Sequence, residues 1–105
     1  MKPEEYLAIV RSQAKKFGYN PNSITFATNG IHKFQIQTPT GKIVRFGRVG
    51  YGDFIIWSYL EWKGEVPRGY ASKKRNTFQK SHSAIKGNWK SNPYSPNNLA
   101  LRLLW

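Results

Sequence analysis

The sequence predicts an α+β domain: an N-terminal helix packed on a small antiparallel sheet of three or four strands, followed by a basic helical segment and a short C-terminal helix. Three observations predict it. Apolar residues recur at helical spacing over residues 3–17, strict alternation with turn signals follows in the thirties and forties, and Ser95-Pro96 opens a leucine-striped C-terminus. At 105 residues the chain is one small domain, 1–105. Within it we expect a helix over 1–18, a β-meander over 23–57, and a basic helical segment, loop and C-terminal helix over 66–105.

Pro3 suits the first helical position, and Glu4 and Glu5 complement the positive end of the helix dipole. Leu7, Val10, Ala14 and Phe17 form one apolar face, and Gly18 is the expected stop. Ile24 to Ala27 is a short β-rich run. Asn29-Gly30 signals a two-residue hairpin turn. Lys33 to Gln37 alternates, with Phe34 and Ile36 inward and Lys33, Gln35 and Gln37 on a wet face shared with Lys42 and Arg45. Pro39-Thr40-Gly41 turns the chain, and Ile43 to Phe46 returns with Val44 and Phe46 on one face.

Gly47, Gly50 and Gly52 mark a turn; no Gly-Lys-Ser/Thr ending follows, so a phosphate-cradling loop is not indicated. Phe54-Ile55-Ile56-Trp57 reads as a fourth short strand, although Asp53 could equally cap a helix there. Pro67 to about His82 reads as a basic helix with a thin apolar face or as a partly ordered arm, and 86–95 as a loop. Ser95 is a good N-cap and Pro96 a good first position, with Leu99, Leu103 and Leu104 as the stripe and Trp105 expected to dock on the core.

Composition narrows the function. Cysteine is absent, which excludes a disulfide framework, a Cys-ligated zinc site and a thiol nucleophile. No apolar stretch reaches the roughly 20 residues that span a bilayer, and Met1 to Glu5 lacks a signal-peptide pattern, so no membrane role and no secretion are expected. The formal charge is +12, unevenly placed. Residues 1–65 hold all five acids and nine cations, for a net +4; residues 66–105 hold eight cations and no acid. Such a density destabilises the chain by self-repulsion and suits an acidic partner.

Between 68 and 90, cations and rings interleave. Arg68, Lys73, Lys74, Arg75, Lys80, Lys86 and Lys90 are the expected phosphate contacts, and Trp89 or Tyr70 the expected stacking groups. A solvated basic helix with Phe78 and Trp89 in the core is the bland alternative. Catalytic chemistry finds little footing. Glu61 and Glu65 would share a helix face, and Asp53 could orient His32 or His82, but no serine stands in a nucleophile motif. Two histidines and scattered acids form no metal-binding motif. The expectation is therefore a non-enzyme with no cofactor and no metal.

Phe46-Gly47, Asp53 to Ile56, Ile85 to Lys90, Tyr94 to Ala100 and Leu103 to Trp105 carry a resemblance. Over about residues 43–105 the chain resembles a family of small, basic, uncharacterised proteins of nucleocytoplasmic large DNA viruses, the giant viruses among them. Members have a more continuous charged helix where this chain has Gly64, Pro67 and Gly69. The resemblance implies a viral protein, in the virion or the host cytoplasm or nucleus, packaged or acting on the genome. It supplies no catalytic residues. Sequence and resemblance together lead us to expect largely sequence-independent nucleic-acid binding, DNA ahead of RNA. The rival is a structural virion component that docks an acidic protein or a second copy through Tyr51, Trp57, Tyr59 or Trp62.

Overall fold

The computed structural model describes residues 1–105. The elements run α1 (Pro3–Lys16), β1 (Ile24–Phe26), β2 (His32–Gln37), β3 (Ile43–Arg48), α2 (Phe54–Trp62), α3 (Tyr70–Ser83) and α4 (Pro96–Leu103), with short 3-10 turns at Pro21–Ser23 and Asn88–Ser91. The fold is α+β, as the sequence predicts.

Pro3 begins α1 and Gly18 ends it. Gly18 adopts φ +85°, and the amides of Gly18 and Tyr19 donate to the carbonyls of Lys15 and Ala14. This is the hydrogen-bond pattern of a helix closed by a left-handed residue. The turn exposes Phe17, 52% accessible, and buries Tyr19 in its place. Phe17 is thus not a core residue: the helix ends before its ring reaches the core. Tyr19 is held there by donating to the Pro93 carbonyl at 2.6 Å and accepting from Arg102 at 2.9 Å.

The sheet is antiparallel in the order β1-β2-β3, with Ile24 opposite Ile36 and Phe34 opposite Phe46. Alternation places Ile24, Phe34, Ile36 and Phe46 on one face, where Val10 and Ala14 of α1 and Leu99, Leu103 and Leu104 at the C-terminus cover them. The first hairpin is longer than the two-residue turn expected from Asn29-Gly30. The Asn29 side chain accepts from the amides of Ile31 and His32, which builds an Asx-type turn between β1 and β2. The opposite face is only partly wet. Lys33 is largely buried, and Gln35 and Arg45, paired across β2 and β3, are half-buried.

The meander ends at Arg48, and the expected fourth strand at Phe54–Trp57 is a helix. Asp53 decides this. Its Oδ1 accepts from the Ile56 amide at 2.9 Å and caps the first turn of α2. The β-rich run then finds partners on several sides of a helix: Ile55 packs on the core, Trp57 on Tyr70, and Phe54 beneath Arg75. Tertiary packing overrides strand propensity here. Helix α3 follows Gly69, whose φ is +88°, and the Glu61 carboxylate accepts from the Ala71 amide at 3.1 Å. Trp105 docks as expected, stacked on Phe78 at 4.2 Å between centroids.

Candidate nucleic-acid interface

Two ion pairs form in the whole chain, Lys33–Asp53 and Lys63–Glu65. Every cation of residues 66–105 therefore lacks a carboxylate partner. Arg68, Lys73, Lys74, Arg75, Lys80, Lys86 and Lys90 are all exposed.

Helix geometry sorts them. At about 100° per residue, Lys73 and Lys80 lie on one stripe of α3, two turns and roughly 10 Å apart. Lys74 is turned towards α2, with its ammonium 5.6 Å from the Trp57 ring centre and 5.4 Å from that of Tyr70. Arg75 lies roughly 200° round from Lys73, its guanidinium 4.6 Å above the Phe54 ring. Those contacts fix the two heads without neutralising them. The run Lys73-Lys74-Arg75 thus presents charge in three directions.

Lys86 and Lys90 belong to the loop after α3, and this loop is organised from α4. Ser95 caps α4 by accepting from the Asn98 amide at 3.2 Å and donates to the Trp89 carbonyl. The buried Asn98 amide nitrogen sits 2.9, 3.2 and 2.8 Å from the carbonyls of Trp89, Lys90 and Asn92. Two hydrogens serve three acceptors, so one is shared. Asn97 donates to the His82 carbonyl, which leaves its Oδ1 to accept from His82 Nδ1 at 2.9 Å. That bond requires a proton on Nδ1, and Nε2 makes no hydrogen bond within the chain. The Ser-Pro-Asn-Asn run is thus a cap and two clamps.

The two expected stacking groups are both engaged. The Trp89 indole donates to the Ile85 carbonyl at 2.8 Å, and Lys90 lies 5.5 Å from its ring centre. Tyr70 packs edge-on against Trp57.

A cleft of about 920 Å³ opens between α3, the end of β3 and the start of α4. Trp57, Phe78, Trp89 and Trp105 line it; Arg48, Lys74 and Tyr51 also border it, the last 69% accessible. Sequence reading missed this cleft, because its walls come from segments spread over residues 32–105. Glycine was the available signal: at Gly52 an added Cβ would lie 2.5 Å from the Trp57 indole, so the indole packs directly on the backbone.

At the cleft floor, Asp53 Oδ2 accepts from Lys33 Nζ at 2.9 Å and from the Tyr6 hydroxyl, and Lys33 also donates to the Tyr6 oxygen at 3.2 Å. Side-chain accessibilities of 12% for Lys33 and 2% for Asp53 make this a buried pair that ties α1, β2 and α2 together. Burial, then the adjacent Asp53 charge and the hydrogen bond to it, push the Tyr6 phenol well above the usual tyrosine range. Asp53 pairs with neither histidine; His32 bonds Asn29 and His82 bonds Asn97. Glu61 caps α3 while Glu65 faces Lys63, so these two carboxylates do not act as a pair. No three His, Asp or Glu side chains gather as a metal site, and no helix is long and apolar enough to cross a membrane. Compared with protein families, curated proteins and solved structures, the chain finds no match.

Proposed function

We propose that the protein is a non-catalytic, largely sequence-independent nucleic-acid binder, with DNA ahead of RNA, of a large DNA virus and packaged in its virion. One observation carries the binding reading: eight cations of residues 66–105 have no carboxylate partner, and several are held in place by rings rather than by acids. Cations so placed neutralise phosphates and release counterions. The viral setting rests on the sequence resemblance alone. Lys73 and Lys80 supply the outer stripe, roughly three base pairs of duplex rise apart. Arg68, Lys86 and Lys90 extend it, and Lys74 and Arg75 flank it. No side chain here reads base edges by a known pattern, so affinity is expected to vary little with sequence.

Duplex-DNA affinity measured by fluorescence anisotropy against salt tests the proposal. With about five phosphates neutralised, log K falls with a slope near −4.5, a roughly 500-fold loss between about 50 and 200 mM salt. Two unrelated sequences give equal slopes. Absence of binding at low salt, to duplex and single strand alike, overturns the proposal. The alternative is docking of an acidic protein. Trp62, 82% accessible beside Tyr59, favours it, because exposed tryptophan is a common interface anchor. Loss of binding on Trp62→Ala but not on Lys73→Ala would select that alternative.

A further inference from the structure

Resting on that reading, we infer that the cleft beside α3 seats one unpaired base of a single-stranded or locally opened nucleic acid, with Arg48 and Lys74 on the flanking phosphates. Its volume of about 920 Å³ lies within the range of small-ligand sites and accommodates a nucleotide. Its chemistry is mixed in the way a nucleotide is mixed. Aromatic walls suit a flat ring: Trp57 packed on Gly52, Trp105 stacked on Phe78, and Trp89 fixed by its indole bond.

The borders are cationic. Arg48 stands at the end of β3 and Lys74 on α3, and neither meets a carboxylate. The single acid lining the cleft, Asp53, is neutralised by Lys33. An apolar peptide would satisfy the rings and leave these cations unmatched; a phosphate would match the cations and leave the rings bare. A nucleotide answers both. Polar groups for a base edge are present as well. Thr77 and Ser81 donate their hydroxyls to helix carbonyls, which leaves oxygen lone pairs to accept. His82 keeps Nε2 while Asn97 holds Nδ1. A paired duplex buries its bases and cannot enter such a cleft, so this site separates single strand from duplex where the outer lysine stripe does not.

The test compares three labelled ligands by anisotropy: oligo-dT, an abasic single strand of the same length and charge, and a duplex. One seated base raises affinity roughly 5- to 150-fold, so oligo-dT binds tighter than the abasic strand by that factor. Ser81→Leu, at an exposed position of α3 that lines the cleft and lies roughly 80° round from Lys73, narrows the cleft without removing a cation. That variant binds duplex as the parent does and loses the preference for oligo-dT. Equal affinity for oligo-dT and the abasic strand overturns the base seat and leaves duplex binding, and with it the broader reading, intact. Failure of all three to bind sinks the broader reading itself. Binding of free dTMP as tight as that of oligo-dT overturns the assignment to a strand, since the site would then serve a soluble nucleotide.

Discussion

Replacing Lys33 by Met removes one partner of a pair that is nearly dry. The Lys33 side chain is 12% accessible and the Asp53 side chain 2%, and the charged groups meet at 2.9 Å. Asp53 keeps its bonds from the Ile56 amide and Tyr6 hydroxyl, but its charge loses its counterion. Breaking a buried pair from one side costs about 3–5 kcal/mol. In a domain of this size each kcal/mol moves Tm by roughly 4–8 °C, so Lys33→Met is expected to lower Tm by roughly 12–40 °C or to unfold the chain. Asp53→Asn retains a cap oxygen for Ile56 and costs less, about 2–3 kcal/mol, because Lys33 retains some solvent. The double variant buries no charge and should lie nearer the parent than Lys33→Met alone. Thermal and urea unfolding followed by circular dichroism supply the cycle. Coupling of at least about 1.5 kcal/mol is expected. Additivity within about 0.5 kcal/mol would refute the claim that this pair joins α1, β2 and α2.

Four further outcomes follow from the same geometry. Folded Tyr6 stays protonated above the ordinary tyrosine range while the unfolded chain ionises from about pH 10. Stability is therefore intact below that pH and falls as pH rises past it; Tyr6→Phe should flatten the fall in urea midpoints, and an equally steep fall would count against the buried phenol. Asn98→Ala leaves carbonyls of Trp89, Lys90 and Asn92 without their donor, an expected loss of about 1–3 kcal/mol, read as a drop in Tm. Gly47→Ala adds a Cβ 2.8 Å from Leu104 at φ +73°, which should cost about 1–3 kcal/mol in urea unfolding. Lys73→Ala/Lys80→Ala should shallow the duplex salt slope by about 1.8, while Lys15→Ala/Lys16→Ala on α1 leaves it unchanged.

Local chemistry was readable where a short segment settles its own shape. Gly18 closes α1, Ser95-Pro96 opens α4, and alternation assigns Phe34, Ile36 and Phe46 to the core. Reading failed where distant residues decide. Phe54 to Trp57 is strand-like by composition, and the helix is favoured by a cap from Asp53, buried against Lys33 20 positions earlier, and by packing partners as distant as Tyr70 and Arg75. The wet-face reading of Lys33 failed for the same reason. Asn97 and Asn98 look like ordinary polar residues in the first turn of a helix, yet one holds His82 and the other the Trp89–Asn92 carbonyls. The basic track was legible as composition. Its division into an outer stripe, a cleft border and an opposite side depends on how α3 lies against α2.

The buried cluster draws on α1, the sheet and α4 and takes no residue from α3, whose single fully buried side chain is Ala71. Helices α2 and α3 pack on each other and join the remainder through Asp53, through Ile55 on the core, and through the Phe78–Trp105 and His82–Asn97 contacts. Such a layer is expected to open as a unit of its own, at lower free energy than the body beneath it. Amide protons of α3 should therefore exchange before those of β2, and a ligand bridging the seam should slow the former far more than the latter.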